Sequence, residues 1–70
     1  MRIRLIEDKI DENIGYKLFY DLDSTKEYSV LSTIESNGEV KFYRIIDESE
    51  EEYEYPSEVF EIVKEKRNGY

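Results

Sequence analysis

The chain has no cysteine and no histidine, and these two absences close most routes to chemistry. Without thiols it cannot carry the disulfides that support small secreted domains, so a reducing, cytosolic setting is expected. Without either residue it cannot build a Cys/His zinc site. The commonest general base and the best thiol nucleophile are also missing. Its three glycines are isolated, which leaves no Gly-rich loop to cradle a phosphate. Paired carboxylates can hydrolyse glycosides, but seventy residues leave little room for a substrate cleft. The expectation is a non-enzyme with no cofactor and no metal.

Long apolar runs are lacking too. The opening Met1-Arg2-Ile3-Arg4-Leu5-Ile6 is too short in apolar residues for a signal peptide and has no small-residue cleavage site. No stretch approaches the roughly 20 apolar residues of a membrane span. A soluble protein in the cytoplasm of the producing or host cell is expected. Residues 1–70 read as one acidic domain, without repeats or a dividing linker. A chain of this size hides only about 60% of its unfolded surface, so stability is thin.

Bases are scarce relative to acids: eighteen Asp and Glu stand against ten Lys and Arg, a formal net charge of −8. Phosphate neutralisation by Lys and Arg drives nucleic-acid binding, so direct DNA or RNA binding is not expected. An anionic membrane surface repels the chain as well. The favoured partner is a basic protein, in particular one that itself holds nucleic acid. The plainer alternative is that the excess charge serves solubility. Disorder is not the reading, because seven tyrosines, three phenylalanines and patterned Ile, Leu and Val remain.

Arg2 to Ile6 alternates as a half-buried strand does. Tyr16, Leu18, Tyr20 and Leu22 share one face at period two and predict a strand over Tyr16–Leu22. Asp23-Ser24-Thr25-Lys26 supplies turn chemistry. Tyr28–Ser36 and Val40–Ile46 read as strands joined at Asn37-Gly38, a type I′ signal that sets Ser36 opposite Glu39. In that register one face carries Tyr28, Val30, Ile34, Tyr43 and Ile45. The other carries Leu31, Val40, Phe42 and Ile46 with Glu35 and Arg44. A sheet apolar on both sides is either covered on both or meets a partner. Ser57–Arg67 predicts a helix: Val59, Phe60, Ile62 and Val63 form an apolar stripe, with acids at its start and bases at its end. The predicted fold is α+β: a small antiparallel sheet, built from a three-strand meander and an N-terminal strand, with one C-terminal α-helix packed on a face.

Asp21 to Glu27 places oxygens at alternate positions, as calcium loops do. The glycine and the bidentate glutamate such a loop requires are here Lys26 and Ser32, so a hairpin turn is expected instead. The acidic run, with six of the eighteen acids between Asp47 and Glu54, is the most distinctive feature. If extended, it projects Glu48, Glu50, Glu52 and Glu54 to one side at roughly 6.6 Å spacing. Ser49, Glu51, Tyr53 and Tyr55 project to the other. Such a stripe suits a basic groove that normally takes a phosphate backbone, although duplex DNA carries charge about every 1.7 Å. The candidate partner-binding residues are therefore Asp47, Glu48, Glu50, Glu51, Glu52, Tyr53, Glu54 and Tyr55; the alternative is a solvated connector. Tyrosine supplies rigid contact area with a polar tip, and about four or five of the seven are expected to be structural.

In size and charge the chain resembles small inhibitors carried by phages and mobile elements, anti-CRISPR and other DNA-mimic proteins among them. That resemblance implies inhibition or modulation of a basic nucleic-acid-handling protein. The alternative is a housekeeping interaction module, or a homodimer, assembling through an apolar sheet face or edge.

Overall fold

β1 (Arg2–Leu5) forms as its alternation predicts, with Ile3 and Leu5 buried and Arg2 and Arg4 exposed. The computed structural model describes residues 1–10 and 19–64. After β1 comes a 3₁₀ turn at Glu7–Lys9. The chain is next described at Phe19, which begins another turn, where the Leu22 N–H bonds the Phe19 carbonyl at 3.1 Å. Tyr16 to Leu18 of the predicted Tyr16–Leu22 strand lie outside the described residues, and the rest of that segment is not a strand. The predicted face is not kept either: Phe19 is buried and Tyr20 is 76% exposed, while Leu22 packs against the core. Phe19 stacks on Tyr55 with ring centroids 6.0 Å apart, so the segment follows one aromatic contact rather than period two.

The remaining strands are β2 (Tyr28–Ser29), β3 (Ser32–Ser36), β4 (Glu39–Ile46), β5 (Glu52–Pro56) and β6 (Phe60–Val63). They form two antiparallel three-stranded sheets, in the orders β2-β1-β6 and β3-β4-β5. Only Val30 and Leu31 separate β2 from β3, so the predicted strand Tyr28–Ser36 breaks there and serves both sheets. A 3₁₀ turn at Ser57–Val59 joins β5 to β6, and β6 returns beside β1.

The predicted C-terminal helix is not present, and the chain is mostly β. Of that segment, Ser57–Val59 is the 3₁₀ turn and Phe60–Val63 is β6; 65–70 lie outside the described residues. The local spacing fits a helix, but Val, Phe and Ile also suit a pleated, half-buried surface. Tertiary pairing decides between them: Leu5 faces Phe60, Arg4 faces Glu61 and Ile3 faces Ile62. The Arg4 guanidinium binds the Glu61 carboxylate across the pair, with Nε to Oε1 at 2.9 Å. The Ile6 N–H closes the end of β1 onto the Val59 carbonyl at 2.8 Å.

The Asn37-Gly38 hairpin forms as read, with Ser36 opposite Glu39 and both turn residues at positive φ, 54° and 80°. Two residues further on, the register shifts. Glu35 pairs with Val40 but Ile34 pairs with Phe42, leaving Lys41 as the extra residue of a bulge. A one-residue slip moves side chains to the opposite face. Ile34 therefore joins Phe42, not Tyr43 and Ile45 as the unbroken register predicted.

The core lies between the sheets. Ile3, Leu5, Tyr28, Tyr43, Ile45, Tyr55, Val59 and Phe60 pack together with Ile10 and Phe19. Ile3, Ile45 and Val59 are fully enclosed, and burying each such side chain contributes about 1.5–3 kcal/mol. Phe60 lies edge-on to both Tyr43 and Tyr55, at 6.0 and 6.3 Å. Of the five described tyrosines, Tyr28, Tyr43 and Tyr55 are buried, while Tyr20 and Tyr53 are exposed.

Candidate functional site

The acidic run is the β4–β5 hairpin. Ile46 pairs with Glu52, and the residues between them, Asp47 to Glu51, turn the chain. The evenly spaced stripe Glu48-Glu50-Glu52-Glu54 therefore does not form. Only Glu52 and Glu54 lie in a strand and share a side; Glu48, Glu50 and Glu51 belong to the turn.

Asp47 organises that turn from inside. It is 3% exposed, and its carboxylate accepts from the Ser49 N–H at 2.9 Å and from the Ser49 hydroxyl. Its other oxygen accepts from the Tyr55 hydroxyl at 2.5 Å. Asx-type turns of this kind fix local backbone geometry. The Glu50 N–H bonds the Asp47 carbonyl at 3.0 Å, and the Asp47 N–H bonds the Glu51 carbonyl at 3.2 Å. Burial pushes the Asp47 carboxyl up, but donors from Ser49, Tyr55 and Glu51 together outweigh it and hold its pKa below the usual value. Burial, then the hydrogen bond to Asp47, pushes the Tyr55 phenol well above the ordinary tyrosine range. Asp47 is thus an ionised acceptor and Tyr55 a neutral donor. Both were predicted at the partner surface, and both face inward.

Two of the remaining acids are engaged by bases. Glu48 contacts the Lys26 ammonium at 2.5 Å, while its N–H bonds the Asp21 carbonyl at 2.8 Å. These contacts hold the hairpin turn against the Asp21–Lys26 segment. That segment is a turn but not the predicted hairpin, since the described residues directly before it form no strand: the Thr25 N–H bonds the Asp23 carboxylate at 2.8 Å, and the Lys26 N–H bonds the Asp23 carbonyl at 3.1 Å. Glu54 pairs with Arg44 directly across β4 and β5. That hydrogen-bonded ion pair, with a lesser field from Glu52, raises the Arg44 pKa.

Glu50, Glu51, Glu52 and Tyr53 remain at the exposed end. The three glutamates form no ion pair among the described residues. Glu51 accepts from the Tyr53 hydroxyl at 2.7 Å, and that bond is the main cause of the raised Tyr53 pKa. Tyr53 is 47% exposed. Glu50 has φ 66°, a left-handed conformation in which a side chain is strained and glycine is favoured.

The outer face of the second sheet is one of the apolar faces on which the alternative reading of the sequence rests. Register places Ile34, Phe42 and Pro56 in one row, Ser32, Arg44 and Glu54 in the next, and Ile46 beside Glu52. Phe42 is 40% and Ile46 50% exposed. Phe42, Arg44 and Ile46 share this face as their alternation predicts; Ile34 joins them through the bulge, while Val40, predicted on the same face, packs against the core. Comparison with protein-family models, with curated proteins and with solved structures gives no match. Among the described residues, no helix is long and apolar enough to cross a membrane.

Proposed function

We propose that this chain is a small, acidic, non-catalytic binding protein of the cytoplasm that docks the end of its β4–β5 hairpin on a basic protein. The favoured partner is one that handles nucleic acid, and docking would inhibit or modulate it. One observation carries the reading: Glu50, Glu51 and Glu52 stand together, exposed and without ion pairs among the described residues, on a turn that Asp47 fixes from within. A preorganised group of like charges concentrates a field, which speeds and orients encounter with an opposite surface. The φ of Glu50 supports the same reading. A glutamate held where glycine is favoured costs stability, and such strain gathers at functional positions. Contact with a basic patch fits better than imitation of a phosphate ladder, because the regular carboxylate spacing that mimicry requires is not formed.

The experiment is titration of the partner recovered by pull-down from the source cell. Replacing Glu50, Glu51 and Glu52 together by Gln should weaken binding at least tenfold at low salt, mainly through slower association. An unchanged affinity and salt slope would overturn the reading.

A second reading rests on Phe42 and Ile46, half-exposed on the outer face of the second sheet. It makes the chain an interaction module or homodimer that assembles through that face. Such a complex would change little with salt, and Phe42→Ser would disrupt it while the triple Gln variant would not.

A further inference from the structure

We infer that the free edge of β5 takes an extended, cationic segment of the partner protein as an added β-strand. This inference rests on the proposal that the partner is basic, and it supplies the geometry of the contact. Among the described residues, β5 lies at the edge of its sheet. In an antiparallel hairpin, hydrogen-bonded and non-hydrogen-bonded pairs alternate. The Asp47 N–H bonds the Glu51 carbonyl, which makes that pair a hydrogen-bonded one. Continuing in register, Ile45–Tyr53 and Tyr43–Tyr55 are hydrogen-bonded pairs, and Ile46–Glu52 and Arg44–Glu54 are not. The backbone N–H and C=O of Glu52 and Glu54 therefore point away from β4, along the free edge.

Those four groups are a template for another strand. Side chains directly opposite one another across a strand pair lie on the same face. The residues facing Glu52 and Glu54 in an added strand would meet carboxylates and should be Lys or Arg. The residue between them would face Tyr53, half-exposed beside the buried Tyr55, and should be apolar. The local charge supports this choice: Glu50, Glu51, Glu52 and Glu54 give −4, Arg44 returns +1, and −3 remains. The same glutamates oppose pairing with a second copy of this chain, since like charges would then line both strands. The β3 edge is a poorer template, because the Lys41 bulge interrupts its register, whereas β5 is regular over Glu52–Pro56.

The test uses the full chain and a nine-residue peptide of alternating Lys and Val, followed by amide hydrogen exchange. Peptide binding should slow exchange at least tenfold at Glu52 and Glu54, while Tyr53 and Tyr55, already bonded to β4, change little. A peptide alternating Glu and Val should not bind. Neither should a Lys/Val peptide with prolines at the positions that donate to the edge. Glu52→Gln should weaken binding, and Glu52→Pro, which removes an outward N–H, should abolish it. The exchange pattern of the unmodified protein decides the matter should that variant not fold. If both Lys peptides bind equally and Glu52 and Glu54 stay unprotected, strand addition is wrong while the acidic docking reading survives. If no cationic peptide binds, both fail. Protection of β5 without peptide, growing with protein concentration, would assign the edge to self-association and overturn the inference.

Discussion

The Tyr55 hydroxyl reaches the Asp47 carboxylate at 2.5 Å and ties the turn of the β4–β5 hairpin to the core strand that follows it. Tyr55 also stacks on Phe19 and meets Phe60 edge-on, so one side chain links the hairpin turn to the closing strand. Tyr55→Phe keeps the ring contacts and removes only the donor. A buried carboxylate that loses a donor costs about 1–3 kcal/mol, and each kcal/mol lowers Tm by roughly 4–8 °C in a domain of this size. Denaturant melts of the variant and its parent should show that loss; coincident midpoints would mean that the bond contributes nothing.

Acid should weaken the same turn. The Asp47 pKa in the fold lies below the ordinary aspartate value of 3.8. Ionised Asp47 therefore stabilises the fold above about pH 4, and the contribution disappears as pH falls through the folded-state pKa. Asp47→Asn removes this dependence. The stability difference between parent and variant should hold steady from pH 7 to about 5 and shrink below about 4. Tyr55 acts in the opposite range: its folded-state pKa is raised, so its contribution is whole below about pH 10 and lost above. A difference between parent and Asp47→Asn that stays flat down to pH 2 would refute the acid half of this account.

Gly38 has φ 80°, and a Cβ placed there meets no atom within 4 Å. The cost of a larger residue is therefore backbone strain, not crowding. Gly38→Val should destabilise by about 1–2 kcal/mol, since a β-branched residue is strained at positive φ. Asn37→Gly should be close to neutral. Equal unfolding midpoints for Gly38→Val and parent would show that the turn relaxes to another type.

That hairpin also marks how far the sequence could be read. Asn37-Gly38 declares its turn through the conformations its two residues tolerate, and Ser36 faces Glu39 as expected. Nothing local declares the bulge at Lys41, which brings Ile34 opposite Phe42 on the partner strand. The turn at Asp23 was legible in its side-chain chemistry, whereas Asp47 looked like one more exposed acid. Its burial depends on Tyr55, eight residues away and inward-facing. Phe60–Val63 reads equally well at either period, and its pairing with β1, at the other end of the chain, decided the matter. Short-range chemistry was visible; long-range pairing was not.

Tyr53 and Tyr55, two residues apart, should respond to truncation in opposite ways. Tyr55 is 5% and Tyr53 47% exposed. Tyr55→Ala should cost about 3–5 kcal/mol, as large aromatic deletions from cores do. Tyr53→Ala should leave Tm nearly unchanged and lower affinity for a basic partner, because its ring lies beside the unpaired glutamates. Thermal melts and partner titration separate the two. Loss of stability in Tyr53→Ala with full affinity would place that ring in the support of the turn.

Glu50 gives the sharpest test, because one substitution should move stability and binding in opposite directions. Its φ of 66° places a side chain in the left-handed region, which costs roughly 1–2 kcal/mol for residues other than glycine. Glu50→Gly relieves that strain, though glycine also loses more backbone freedom on folding. The net gain should be up to about 1 kcal/mol. The same change removes one of the three tip carboxylates that form no ion pair among the described residues, so affinity for a basic partner should fall, more steeply at low salt than at high. Glu50→Asn separates the causes, since asparagine tolerates the conformation without the charge. It should also weaken binding, with a smaller gain in stability. If Glu50→Gly gains stability and binds its partner as tightly as the parent, the tip is a connector, and the binding surface lies on the Phe42–Ile46 face.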